Sequence, residues 1–175
     1  MLVGGDAAAA AEAARIGLAP LPAMTLMTSE PEGPIAVPPG WRVRRATTPA
    51  ERAAASSIHA AAFRLPPAAD AAALAASPSG PGAVEVFLAE AAGRPVSVAS
   101  VVRAGAVAGI WGVGTLPGEQ RRGAASALLA AVMERCRAEG VARFYLFAGA
   151  AGRPVYARLG FDALAPVPLY EIAAP

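Results

Sequence analysis

The run Gly112-Val113-Gly114-Thr115-Leu116-Pro117-Gly118-Glu119-Gln120-Arg121-Arg122-Gly123-Ala124-Ala125-Ser126-Ala127-Leu128-Leu129 constrains this chain more than any other stretch. An apolar strand ends at Thr115-Leu116-Pro117. A short loop rich in Arg and Gly follows, and an amphipathic helix then starts on small residues. A loop of this kind at a helix start can aim several backbone N–H groups at one point, and the helix dipole adds positive potential there. Such an arrangement is an anion site suited to a phosphate. Gly123 lets the backbone turn tightly, and the small Ala124 and Ala125 leave the helix start uncovered. Amides from Arg121 to Ser126 can then converge on a diphosphate, with Arg121 and Arg122 as charge-assisted donors. The absence of Gly-Lys-Ser/Thr excludes a P-loop, and the absence of Gly-x-Gly-x-x-Gly excludes a Rossmann fingerprint.

With 175 residues, the chain has room for one full domain with a real core and not for two. Hydrophobic residues make up 55% and charged residues 16%, which excludes a disordered chain. Ala dominates the apolar count, so no window reads as a spanning helix and no membrane is expected. All 15 basic residues are Arg, which excludes lysine-based covalent catalysis. The net charge of +2, with scattered arginines, argues against nucleic acid. The single cysteine, Cys136, excludes an intrachain disulfide and a zinc site built on thiolates, and no metal site is expected. Asp6 and Glu12 interrupt the Ala-rich start, which has no basic n-region, so a cytoplasmic protein is the expectation.

Along the chain, residues 6–16 read as a helix with Asp6 as N-cap and Gly17 as its stop. Met24 to Thr28 reads as a strand, and residues 29–40, dense in Pro and Gly, as a linker. The main domain then spans 41–175. Trp41 to Arg45 alternates as a strand. Thr48-Pro49-Ala50-Glu51 is a capping box opening a helix to about Phe63. Residues 67–76 suggest a weaker helix. Val84 to Ala91 and Val96 to Arg103 form a hairpin across Ala92-Gly93-Arg94-Pro95, followed by the strand Val107 to Thr115. Apolar positions from Gly123 to Glu139 share one helical face. Arg143 to Ala148 is a buried strand, residues 152–158 a short helix, and Leu169 to Ile172 a last strand. The order βααβββαβαβ predicts an α+β fold with helices on both faces of a sheet.

Ala14-Arg15-Ile16-Gly17-Leu18-Ala19-Pro20 echoes Ala157-Arg158-Leu159-Gly160-Phe161 and the residues after it. Residues 1–28 are therefore expected to be the helix–strand remnant of a preceding copy of the same fold. They could alternatively donate a strand to a neighbouring copy, which would make a homodimer.

About thirty residues beyond the loop stands Gly152-Arg153-Pro154-Val155-Tyr156-Ala157-Arg158-Leu159-Gly160-Phe161. Together the two motifs resemble the GNAT superfamily of acyl-CoA N-acyltransferases over about Trp41 to Ile172. Gln120, Gly123 and Ala125 match the family's Gln/Arg-x-x-Gly-x-Gly/Ala loop. Tyr156, Gly160 and Phe161 match its Tyr-x-x-x-Gly-Phe segment. The resemblance implies a mixed, mostly antiparallel sheet splayed between the domain's fourth and fifth strands. It implies that Gln120 to Ser126 grip the pyrophosphate of acetyl-CoA, with main-chain contacts to pantetheine at Val113, Gly114 and Thr115. It further implies direct attack by an amine in a ternary complex, with Tyr156 as general acid. The alternative is a non-catalytic acyl-CoA-binding module, or the remnant of a tandem acetyltransferase. The chain departs from the family at Ala148-Gly149-Ala150-Ala151, where a polar side chain often follows the strand. The strand Ile110 to Gly114 also carries no carboxylate, which leaves Glu85 and His59 as the candidate bases.

Overall fold

A computed structural model describes residues 7–65 and 83–172. The expected helix at 67–76 and the Asp6 cap lie outside the described residues. These divide into two compact units. One comprises Glu30–Tyr145, and the other joins the segment ending at Ser29 to the segment beginning at Leu146. The strands follow the order β2-β3-β4-β5-β6-β1-β7, and the division falls within β6.

The first unit opens on β2 (Arg42–Arg45) and α2 (Pro49–Phe63), as the alternation and the capping box predict. Both halves of the box form: Glu51 N donates to Thr48 Oγ1, and Thr48 N donates to the Glu51 carboxylate at 2.9 Å. β3 (Val84–Ala91), β4 (Arg94–Ala104) and β5 (Val107–Thr115) continue the sheet, and β2 to β5 are antiparallel throughout. Ala92 and Gly93 carry the β3–β4 turn at positive φ, which matches the right-handed twist of a hairpin.

On one face of this sheet, Val86, Leu88 and Val98 close a buried cluster with Ala46 and with Ala55 and Ile58 of α2. Helix α3 (Ala124–Ala138) buries Leu128, Leu129, Val132, Met133 and Cys136, the face its periodicity predicts. Glu90 is buried, and Arg44 donates to it at 2.6 Å while also pairing with Glu51. A buried carboxylate requires such a partner. Residues 30–40 contain no regular element. Even so, Ile35 N donates to the Glu134 carboxylate of α3 at 3.0 Å. β6 (Arg143–Ala148) joins β5 at its start, where the amides of Ala142 and Arg143 both donate to Ala106 O (2.8 and 3.0 Å).

The second unit contains α1 (Ala7–Arg15), β1 (Leu18–Ser29), the short α4 (Arg153–Ala157) and β7 (Asp162–Ile172). Both strands are longer than expected from sequence. β1 begins at Leu18 rather than Met24, and β7 at Asp162 rather than Leu169. Pro20, Pro22, Pro166 and Pro168 read as breakers, since proline offers the ladder no N–H. β7 is the last strand in the order, and an edge strand tolerates proline. β1 and β7 pair antiparallel from Leu18↔Ile172 to Thr28↔Asp162, with irregularities that include one beside Pro22. The strands that follow the two echoing segments thus pair with each other, and the segments themselves stand at opposite ends of the ladder. Each helix is followed by a left-handed glycine, Gly17 at φ +78° and Gly160 at φ +80°, and then by its long strand. β1 pairs with β7 of its own chain.

Three outcomes follow from the capping box and the core. Thr48→Ala removes the acceptor for the Glu51 amide and should lower unfolding stability by about 1 kcal/mol in urea melts. Backbone N–H groups of Thr48 and Thr47 hold the Glu51 carboxyl at about 2, below its ordinary 4.5. Its contribution is therefore whole above pH 4.5 and is lost as pH falls from 4.5 toward 2, and Glu51→Gln should flatten that acid slope. Burial pushes the Cys136 thiol up to about 11, so a thiol reagent at neutral pH should label it only after unfolding.

Candidate active site

β5 ends in a tightly tied strand–loop–helix junction. Ser97 Oγ donates to Gly114 O at 2.8 Å and stands 2.9 Å from Thr115 Oγ1. Gln120 Nε2 donates to Thr115 O at 3.2 Å, so this side chain holds the loop to the strand that precedes it. A single 3₁₀ turn, Pro117–Glu119, leads into the loop.

Arg121 and Gly123 both adopt left-handed backbone, at φ +59° and +92°. Left-handed residues interspersed in a turn direct successive amides into one concavity, a backbone nest for an anion. Gly123 is the N-cap of α3 and brings no side chain to it. The first-turn amides of Ala124, Ala125 and Ser126 have no acceptor within the helix by its geometry. No acidic residue occupies that turn. The junction therefore presents donors and a positive helix end that neither the N-cap nor the first turn of α3 neutralises. The arginines divide the work: Arg122 pairs with Glu119, which also takes Arg94 at 2.8 Å, while Arg121 is exposed. A Cβ on Gly123 would stand 3.8 Å from Trp41 Nε1, placing an indole beside the helix start that sequence reading did not single out.

Upstream, the β4–β5 ladder is interrupted. Val98 faces Gly114 and Ser100 faces Trp111, so β5 carries one residue more than its partner across the gap. That surplus is a β-bulge containing Gly112 and Val113, and Gly112 sits at φ +57°. Bulged residues lack ladder partners, which leaves main-chain groups of this stretch for other uses. Three glycines of β5 admit close neighbours. A Cβ on Gly109 would lie 2.6 Å from Tyr145 Cζ, on Gly112 2.9 Å from His59 Nε2, and on Gly114 2.8 Å from Ala62 Cβ. Trp111 is half-exposed and meets Tyr145 edge-on, with centroids 5.9 Å apart. The His59 ring packs against Phe63 at 4.5 Å.

In the other unit, Tyr156 lies on α4, buried, edge-on to Phe161 at 6.2 Å. Gly152 makes room for it, since a Cβ there would stand 2.7 Å from the tyrosine ring. Burial raises its hydroxyl above the ordinary tyrosine value, which keeps it protonated at neutral pH.

The structure thus brings Val113, Gly114, Thr115 and Gln120 to Ser126 into one continuous junction. Of the two candidate bases, Glu85 is held by Arg45 at 2.8 Å and Arg103 at 2.5 Å, whereas His59 packs on the β5 bulge. Sequence could nominate His59 but had no signal for its position, because α2 and β5 are some fifty residues apart.

The acetyltransferase (GNAT) family pattern matches residues 53–161. Among solved structures, a GCN5-related N-acetyltransferase from Kribbella flavida is similar at 23% identity and a TM-score of 0.70, covering 94% of this chain and 64% of that one. One from Sphaerobacter thermophilus is similar at 20% identity and a TM-score of 0.72, covering 97% and 57%. A ribosomal-protein alanine N-acetyltransferase from Escherichia coli is similar at 22% identity and a TM-score of 0.63, covering 71% and 79%. The chain thus spans under two thirds of the length of the first two, which share its fold. No curated protein matches the sequence.

Gly112→Ala forces an L side chain into positive φ and against the His59 ring. It should cost roughly 1–3 kcal/mol in equilibrium unfolding.

Proposed function

Because this chain belongs to the acetyltransferase (GNAT) family, we propose that it transfers an acetyl group from acetyl-CoA to an amine of a small molecule or protein. The observation that carries this reading is the uncapped start of α3 behind a left-handed Gly123, at the end of a bulged strand. Amides from Arg121 to Ser126 donate to the pyrophosphate, and the exposed Arg121 adds a positive charge. Gln120 supports the loop from behind by its bond to Thr115 O. Main-chain groups of Val113, Gly114 and Thr115 bind the pantetheine arm as a strand would.

The amine attacks the thioester carbonyl directly. An N–H at the bulge, that of Val113, stabilises the oxygen as it gains charge; one such donor is worth about 3 kcal/mol. Tyr156 protonates the departing thiolate. Its assignment rests on the Tyr-x-x-x-Gly-Phe motif, and its raised pKa keeps the proton available at neutral pH. The run Ala148 to Ala151, which carries no polar side chain, favours a second reading, an acyl-CoA-binding module without turnover.

Two measurements test these readings, the first their shared coenzyme and the second turnover. Acetyl-CoA and free coenzyme A should raise the melting temperature, and ATP should not, since a ligand stabilises the state it binds; no rise with either would remove the coenzyme assignment. Tyr156→Phe should lower kcat for amine acetylation about 100-fold with little change in the Kd for acetyl-CoA. A wild type that binds coenzyme A and acetylates no amine would leave only the binding module.

A further inference from the structure

Acetylation of an amine needs a base. An alkylamine arrives as an ammonium ion without a lone pair, and β5 offers no carboxylate to receive its proton. The pairing register decides which residues share the face of β5 that looks toward α2. Val98 and Val86 belong to the cluster closed by Ala55 and Ile58 of α2. Cross-strand partners lie on one face, so Val98↔Gly114, Val86↔Ser100 and Ser100↔Trp111 place Gly114 and Trp111 on that face. His59 reaches the same surface from α2. Its Nε2 stands 2.9 Å from the position a Cβ of Gly112 would take, so the imidazole lies directly on the bulge. The Phe63 ring backs it at 4.5 Å, and the residue is half-buried.

The competing carboxylate is on the other side. Glu85 alternates with Val84 and Val86, both of which pack on the α2-side cluster, so it projects from the opposite face. There it is held by Arg45 and Arg103, and Arg103 also pairs with Glu139 beyond the end of α3.

Resting on the reading that this chain acetylates an amine at the β5 bulge, we propose that His59 is the catalytic base that receives the proton of the acceptor. The ammonium nitrogen gives one proton to His59, and its freed lone pair forms the new C–N bond to the thioester carbon. The C–S bond then breaks with its electron pair on sulfur. The second nitrogen proton compensates the one that the thiolate takes up, and His59 returns its own proton to water. Histidine suits the task because a neutral imidazole nitrogen accepts a proton. An ungapped Cβ at position 112 would displace the ring, which explains why a glycine occupies the bulge.

The test compares wild type with His59→Ala and His59→Asn, using acetyl-CoA and two amine series, strongly basic alkylamines and weakly basic anilines. For alkylamines, kcat/KM should fall about 100-fold, as expected for loss of a general base. For anilines, which are already neutral, the loss should be severalfold at most. Added imidazole should restore part of the alkylamine activity to His59→Ala, and the Kd for acetyl-CoA should hold in both variants, which shows that the fold survives. Equal losses on both amine series without imidazole rescue would overturn the assignment and make His59 a packing residue. Unchanged alkylamine kinetics would overturn it outright. A wild type that binds acetyl-CoA yet acetylates neither series would overturn the transferase reading and this assignment together, and so is distinguishable from failure of the base alone.

Discussion

In the ladder between β4 and β5, Ser100 stands opposite Trp111 and Val98 opposite Gly114, so the two strands advance by different numbers of residues across the same gap. The bulge this forces is tolerable because Gly112 takes φ +57° without a Cβ to object. Its consequences spread outward. Main-chain groups of β5 lose ladder partners at Gly112 and Val113. The vacated face lets His59, Ala62 and Tyr145 approach the backbone within distances that any side chain on β5 would prevent. The bulge and its glycines are thus one device, and α2 is seated against it.

The other half of the site obeys the same economy. Gly123 turns the chain and ends without a cap, while Ser97 and Gln120 tie the strand end and the loop from outside. The start of α3 receives no side-chain cap, and rigidity is supplied from β4 and from the loop's own amide side chain. Glu119 sets the charge balance by engaging Arg94 and Arg122, leaving Arg121 outward. The unit that carries Tyr156 is built on a repeated plan of helix, left-handed glycine and long strand, whose two strands pair with each other.

Much of this was legible in the residues. The capping box at Thr48, the hairpin at Ala92-Gly93, the bounds of β3, β5 and β6, and the apolar face of α3 all follow from local rules that act within a few residues. The loop at Gln120 to Ser126 and the Tyr156 segment are similarly local, and they carried the family. The extent of β1 and β7 was not legible. The prolines of β7 argue against a strand until the pairing shows it at an edge, where proline is tolerated. The choice between Glu85 and His59 was equally closed, since both are ionisable residues near apolar neighbours in sequence.

Sequence by itself determined the element types, the turn positions and the family to which the chain belongs, because capping, periodicity and glycine placement are short-range physics. Only the tertiary structure decided which face of β5 meets α2, which of Glu85 and His59 lies on that face and where the echoing N-terminal segment lies. Those depend on register between strands far apart in the chain, and a one-residue difference in register sends a side chain to the opposite face.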